Sequence, residues 1–399
     1  MPDKDRIGEE AMISGTHRYF LQERVIYGKP ADAAIAEEAA ALGARRVFLT
    51  TTRSLGGEDG LAAAVARMLG ERHAGTYGAI SAHSPRDAVI AGAALARAAC
   101  ADLLVAVGGG SVIDATKVML LCLWHGLETV DALDAYRGAR GVDPSRRPPG
   151  LDGAIRMLAV PTTYSAAEFT YIAGVSDTRR RVKELYGHPL FAPQAVVLDP
   201  AATLRTPPEL LLSTGMKAVD HAVERLSMLD TNPYSDATAA EALRLLTAAL
   251  PAIRRTPEAL EPRLQGQLGM WLSITGAASG VGSAASHAIG HTLGGSYGIP
   301  HGITSGLTLP AVLRWNRTVN AERQTQVSAL MGAPGRPASE LVADLVASLG
   351  LPGRLRDVGI KREDLRPIAE HTMHDPPVRA NPRPITRPED ILEILELAW

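Results

Sequence analysis

Three histidines, His287, His291 and His301, fall within fifteen positions of one stretch, SHAIGHTLGGSYGIPHGITSGLTLPAVLRW (286–315). His287 and His291 are four apart, so on a helix both imidazoles leave the same face. The pair Gly294-Gly295 is expected to break that helix, and Pro300 with Gly302 to fix a turn that returns His301 to the same face. Two same-face histidines and a third brought back by a loop suit a divalent metal, and equally a site that handles protons. A lone histidine on an apolar helix is more often a hydrogen-bonded core residue. Three of the eleven in the chain, bracketed by glycines, point instead to chemistry.

A metal would want further ligands from another element, and the segment GMKAVDHAVE (215–224) offers Lys217 and His221 on one helical face. A protonated Lys217 has no lone pair to give. Asp220 is turned about 100° away from His221, so it is expected to pair with Lys217 one turn back rather than to ligate.

The second signal is ADLLVAVGGGSVIDATKVMLLCLW (101–124). An apolar strand, Leu103 to Val107, runs into Gly108, Gly109, Gly110 and Ser111, and a helix is expected from near Val112. Glycines let a ligand approach the backbone, and the unpaired N–H groups of a helix start suit a pyrophosphate at the carboxyl edge of a parallel sheet. The spacing is not GxGxxG. Further on, the turn Pro161-Thr162-Thr163-Tyr164 presents hydroxyls that could bond a phosphate or a nicotinamide amide, or could simply end a strand as an ST-turn.

At 399 residues the chain exceeds one ordinary core, and two domains are expected. Apolar residues at 46% and charged residues at 21% describe a globular protein with a large interior. A net charge of −2 without a basic run leaves no footprint for nucleic acid or an anionic membrane. No segment has the ~20 apolar residues of a membrane span, and MPDKDRIGEEAMISG lacks a signal peptide's apolar centre, so a cytoplasmic protein is expected. Cys100 and Cys122 lie in apolar helical patterns without CxxC spacing and read as buried free thiols.

Taken in order, residues 1–13 read as a frayed lead-in, and RYFLQERVIYGKP as an edge strand ending at Tyr27-Gly28. A helix from Pro30 to Leu42, a strand in RRVFLTTT, a helix from Gly60 to Gly70 and a weaker strand at Tyr77–Ile80 follow. The next helix has Ser84 as N-cap and Pro85 at its first position and runs to about Cys100. Residues 134–153 read as a surface loop, 156–175 as two extended pieces about the PTT turn, and 194–200 as the last strand. Beyond Thr206 the periodicity is helical, including Gly266–Ala278 and the terminal ILEILELAW. The pattern predicts an α/β, Rossmann-like parallel sheet over 1–200 and an all-helical unit over 201–399, with the site in the cleft between them.

Together the GGGS turn, the PTT turn, GMxAxxHAxE and HxxxH…PHG resemble the iron-containing alcohol dehydrogenase superfamily over nearly the whole chain, with its dehydroquinate synthase-like fold. The resemblance implies that Lys217 stands where metal-dependent members have an aspartate ligand, and that His221, His287 and His301 match their three histidine ligands. His291 matches a catalytic or nicotinamide-facing histidine. The run HTLGGSYGIPH with PTTY is most similar to the maleylacetate reductase branch, which lacks the aspartate and reduces maleylacetate to 3-oxoadipate in aromatic-ring catabolism. Three departures stand out: Lys217 replaces a small neutral residue, PTTYSAAEFT lacks the glycine–serine before Glu168, and SHAIGH replaces an HHKLCH-like run.

The function expected is therefore NADH- or NADPH-dependent reduction of a small anionic unsaturated or keto acid, without metal. Lys217 would take over the metal's charge, with His221 and His301 as hydrogen-bond donors. His291, or His287 behind it, would supply the proton. Gly108, Gly109, Gly110, Ser111 and Asp114 would hold the cofactor from one side, and Thr162, Thr163 and Tyr164 from the other. Thr52, followed by Arg53 where an acid often selects NAD, would admit a 2′-phosphate. The resemblance implies a homodimer, and the partner is a small molecule. A metal-dependent alcohol dehydrogenase, with water or Glu224 as fourth ligand, is the first alternative; a lyase or cyclase of the dehydroquinate synthase type is the second, and a non-catalytic paralogue the third.

Overall fold

Short β-branched and apolar runs alternate with alanine-rich helical ones up to about residue 200, and in the computed structural model they build one sheet with helices on both faces. The structure describes residues 17, 19, 21–138, 153–180 and 182–399. The expected lead-in at 1–13 lies outside these, as does most of the expected loop at 134–153. The strands are β1 (Arg24–Tyr27), β2 (Val47–Thr50), β3 (His73–Tyr77), β4 (Leu103–Gly108), β5 (Arg156–Pro161), β6 (Ile172–Asp177), β7 (Val182–Gly187) and β8 (Ala195–Leu198). Six are parallel, in the order β1-β8-β5-β4-β2-β3, and β6 and β7 form a separate antiparallel hairpin. The helices are α1 (Ala31–Ala41), α2 (Leu61–Leu69), α3 (Arg86–Ala98), α4 (Gly110–His125), α5 (Pro208–Ser227), α6 (Pro233–Arg255), α7 (Leu260–Thr275), α8 (Ala285–Tyr297), α9 (His301–Leu330), α10 (Ala338–Ser348), α11 (Leu365–Thr372) and α12 (Pro388–Ala398). No helix among the described residues is long and apolar enough to cross a membrane.

The two-residue period of β4 explains how one strand serves two cores. Leu103, Val105 and Val107 face α1 and α2, while Leu104 and Ala106 face α3 and α4. The second of these cores continues without a break into α5, α6 and α7, so the sheet and the first helical layer share one interior. A smaller core gathers α8, the first half of α9, α11 and α12.

Several local expectations are corrected. β3 is His73–Tyr77 rather than 77–80: it is an edge strand, so polar residues suffice, and Ile80 is instead buried in the crossing that follows, its N–H bonded to Thr51 O at 3.4 Å. Ser84 is no N-cap, because its φ of +51° turns its hydroxyl away to donate to Ser111 O at 2.7 Å; Pro85 takes the cap position of α3. Cys100 follows α3 in the left-handed region, φ +49°, and is exposed, while Cys122 is buried and its thiol is pushed up to about 12. α4 starts at Gly110, two residues before Val112, and α7 at Leu260, six before Gly266. The hairpin strand β7 was not expected at all, since its sequence VKELYG has little apolar alternation.

The histidine stretch departs in a way that matters. α8 runs straight through Gly294-Gly295 and ends at Gly298, whose φ of +68° makes the left-handed cap. The turn is Gly298-Ile299-Pro300, and His301 is the first residue of α9. Gly302 then packs directly on α5: a Cβ there would lie 2.5 Å from the carbonyl carbon of Ser213. At Gly290 a Cβ would lie 2.9 Å from Thr304 Oγ1, so α8 and α9 also meet without a side chain between them.

These contacts predict opposite outcomes for two alanine substitutions. Gly302→Ala forces α5 and α9 apart and should cost about 1–3 kcal/mol in urea denaturation. Gly295→Ala, in the exposed part of α8 with open space around its Cβ, should stabilise by up to about 1 kcal/mol.

Candidate active site

Every residue of α5 from Leu211 to Ser227 is buried except Lys217, which is only half-buried. An amphipathic helix packed on nearly all sides thus leaves one position open, and that position carries an ammonium. Lys217 Nζ donates to Ser165 O at 3.3 Å, across from the loop after β5. Burial pulls its pKa down to about 8, the like charge of Lys183 adds to this, and Asp114, Asp220 and Glu168 oppose it. At neutral pH the group is therefore still mainly the ammonium.

One turn on, the His221 ring stacks on that of His287, with centroids 4.8 Å apart and planes at 15°. His221 is held well below the ordinary imidazole value by burial, then by the charges of His287 and Lys217. His301 is shifted the same way by burial and Lys217, and stacks on His291 at 5.1 Å. His287 is the opposite case. Burial works against its charge, but Asp220 and Glu224 outweigh that and raise its pKa above 6.5. His221 Nδ1 and His287 Nε2 are buried without a hydrogen-bond partner among the described residues, so the four expected histidines do converge, with polar atoms left over.

Behind them lies a carboxylate layer that was only partly expected. Glu224 Oε2 accepts from His287 Nδ1 at 2.7 Å and from Ala284 N at 2.8 Å, and Oε1 accepts from Ser286 N at 2.8 Å. It both orients the imidazole and satisfies the start of α8. These partners keep its pKa below 4.5 despite burial. Asp220, expected to pair with Lys217, instead accepts from Ser286 Oγ at 3.0 Å and lies 3.6 Å from His287 Nδ1. The rotation that takes it off the Lys217 face points it at α8, and burial pushes it up to about 7. His291, on the exposed side of α8, has its own acid: Asp375 Oδ2 is 2.6 Å from Nδ1.

The glycine turn faces this group. Added Cβ atoms would lie 2.9 Å from Thr163 Cγ2 at Gly109 and 2.8 Å from Ser165 Oγ at Gly110, so only glycines let the PTT loop close over the start of α4. At Gly108 a Cβ would meet Val112 at 2.6 Å. Thr162 N donates to Gly108 O at 3.1 Å, and the hydroxyls of Thr163 and Ser165 are buried without partners among the described residues. Ser111 Oγ accepts from His83 N at 3.1 Å, and Asp114 Oδ2 from Gly174 N at 3.1 Å, which ties the β6–β7 hairpin to α4. Thr52 lies just past β2, half-buried, sharing a 3.0 Å hydrogen bond with Ser54. Tyr164 departs from expectation: its phenol is fully buried and donates to Arg263 O at 3.0 Å, because Gly266 opens a slot for it in α7.

Three charged residues in this region gave no usable sequence signal. Lys117 on α4 is buried and donates to the carbonyls of Ala167, Thr170 and Ile172 at 2.6–2.9 Å, fixing the loop that carries Ser165. Glu168 in that loop is buried with both carboxylate oxygens unpartnered among the described residues, and burial pushes it up to about 7. Lys183 on β7 lies across Gly174, where a Cβ would collide with it, and its charge reaches Lys217 and His301.

The buried His287–Glu224 pair sets a pH dependence. His287, with its raised pKa, contributes stability that is complete below pH 6.5 and is lost as pH rises through its folded value. Glu224, with its lowered pKa, contributes stability that is present above pH 4.5 and is lost as pH falls through its folded value. Glu224→Gln should therefore destabilise by about 3–5 kcal/mol in urea titrations between those limits, and by less on either side.

Comparison with known proteins agrees with this architecture. Residues 22–200 match the model "iron-containing alcohol dehydrogenase", and residues 211–399 match "Fe-containing alcohol dehydrogenase family, C-terminal". A maleylacetate reductase from Sphingobium indicum is 32% identical over 384 residues, covering 95% of this chain and 96% of that protein. Maleylacetate reductase 2 from Cupriavidus pinatubonensis is 31% identical, covering 96% of each. Among solved structures, a maleylacetate reductase from Agrobacterium tumefaciens superposes with a TM-score of 0.80 at 28% identity, over 97% of this chain and 99% of that one. With stacked imidazoles, a glycine turn at the start of α4 and these relatives, the chain belongs to the iron-containing alcohol dehydrogenase family and is an NAD(P)-dependent oxidoreductase.

Proposed function

We propose that the cleft reduces a small anionic 4-oxo-2-enoic acid with NADH or NADPH, maleylacetate being the first substrate to try, and that it does so without a metal ion. The observation that carries this reading is the Lys217 ammonium set among His221, His287 and His301. Iron, which the family name implies, does not fit these donors. A ligand needs a lone pair, and Lys217 offers a cation at neutral pH whose charge is felt by all three imidazoles. For a dinucleotide, the partly accessible start of α4 at Gly109–Ser111 suits a pyrophosphate, and the hydroxyls of Thr163 and Ser165, partnerless among the described residues, suit its amide group.

When bound, the reduced dinucleotide supplies a hydride to the substrate's carbon–carbon double bond. The chain's own residues handle the charge that results. Lys217 and the neutral His221 and His301 stabilise the enolate oxygen or hold a carboxylate in a site of low dielectric. His291, or His287 behind it, gives the proton to the enolate carbon and completes the reduction. Thr52 and Arg53 present no acid to a 2′-phosphate, which favours acceptance of both dinucleotides. The reading divides the chain at residue 200 into a cofactor unit and a histidine-bearing unit, with the site in the cleft between them and with a homodimer as the resemblance implies.

Dinucleotide oxidation measured on maleylacetate and related keto acids, with metal analysis of the same sample, tests this. Lys217→Met should lower kcat/KM by about 10²–10³-fold. The wild-type rate should fall as pH rises through about 8, where the ammonium is lost, and Lys217→Arg should move that limb upward. Stoichiometric iron or zinc, with turnover abolished by a chelator and restored by the ion, would replace this reading with the metal-dependent alcohol dehydrogenase. Michaelis constants for NADH and NADPH should lie within about tenfold of each other, a difference of roughly 1.4 kcal/mol or less.

A further inference from the structure

Two histidines of α8 each meet a carboxylate through Nδ1, but from opposite directions. Glu224 reaches His287 from inside the helical layer, and Asp375 reaches His291 from outside it. His291 is exposed, its side chain 45% accessible, and its stacking on His301 does not set which nitrogen carries the proton. An imidazole in that position has two torsions and two neutral tautomers to sample.

Asp375 is itself held. It follows α11, its N–H donates to Thr372 O at 3.0 Å, and its own carbonyl accepts from Val378 N at 3.1 Å in the turn begun by Pro376 and Pro377. α11 is in turn fastened to α8 by Thr372 Oγ1 to Thr292 Oγ1 at 3.0 Å, a buried bond, and by Ser296 Oγ to His371 Nδ1 at 3.2 Å. Three links therefore join α11 and the turn after it to one side of α8, and the last ends on the imidazole. The carboxylate side chain is only 19% accessible, and it meets Nδ1 at 2.6 Å.

We propose that Asp375 is a positioning residue for His291: it holds the Nδ1 proton and fixes the ring, so that the ring, when protonated on both nitrogens, gives its Nε2 proton to the enolate carbon, is left as the neutral Nδ1–H tautomer and takes its next proton from water. Nε2 has no partner among the described residues, and the ring it belongs to stacks on His301 at the cleft. A carboxylate behind an acid–base imidazole sets its tautomer and its orientation without touching the substrate. This inference rests on the reading of His291 as a proton donor.

The test compares Asp375→Asn, Asp375→Glu and His291→Asn in the full-length protein. Asp375→Asn should lower kcat by about ten- to a hundredfold while the Michaelis constant for dinucleotide stays within about twofold, and should enlarge the solvent deuterium isotope effect on kcat. Asp375→Glu should recover most of kcat. Nitrogen-15 spectra of histidine-labelled protein, with His291→Asn assigning the signal, should show the Nδ1–H form in the wild type and a tautomer mixture in Asp375→Asn. An unchanged kcat and isotope effect in Asp375→Asn, with His291→Asn impaired, would overturn the positioning role and leave the donor reading intact. Full activity in His291→Asn would instead overturn the donor reading, and this inference with it. Should Asp375→Asn fold poorly, a wild-type spectrum lacking the Nδ1–H form decides against the proposal without any variant.

Discussion

A half-buried cation set among imidazoles is the constraint around which this molecule is built. Burial favours the neutral amine at Lys217, and the acids Asp114, Asp220 and Glu168 oppose that without any of them forming a close ion pair with it. The consequence is a charge that is present at neutral pH yet not neutralised by direct contact, which is the state in which a positive group can act on a bound anion. The adjoining imidazoles of His221 and His301 are held well below the ordinary imidazole value chiefly by burial, and the same ammonium adds to this by disfavouring a second cation beside it.

Charge is distributed in layers behind that point. Outermost are the ammonium and two neutral imidazoles; deeper, His287 lies against Glu224 and Asp220; deeper still, Ser286, bonded to Thr308, donates to Asp220. The layers draw on three helices. α5 brings Lys217, Asp220, His221 and Glu224; α8 brings His287 and His291; α9 begins on His301. They can converge because glycine stands at the crossing points, Gly302 against α5 and Gly290 against α9. The packing of backbone on backbone sets the ring-to-ring distances.

Glycine does the same for the other half of the site. Gly109 and Gly110 let the Thr163–Ser165 loop rest on the start of α4, and Lys117 below them fixes the remainder of that loop through carbonyl contacts. A loop tied down at that many points presents its free hydroxyls in one arrangement. The hairpin β6–β7 is secured in turn by Asp114 and by Arg86, which donates to Asp134, Asp177 and Tyr186 and contacts Glu184. The charge of Lys183 thereby reaches Lys217 and His301 from a strand whose residues offered no hint of it.

What the sequence determined by itself was everything with a short period or a rigid local geometry. The apolar run of β4, the glycines after it, the four-residue spacings of Lys217 with His221 and of His287 with His291, and the return of His301 after Pro300 are all properties of a few adjacent residues, and all are found in the structure. Polar strands escaped, because β3 is an edge and β7 lies in a separate hairpin, and neither needs an apolar alternation. Only the tertiary structure decided the partners: Asp220 turned to His287 rather than to Lys217, Glu224 to His287, Asp375 to His291, and Tyr164 into α7. The physical reason is that a carboxylate or phenol is recruited by whichever helix packs against it, and residues 63 and 84 positions apart become neighbours through the fold alone.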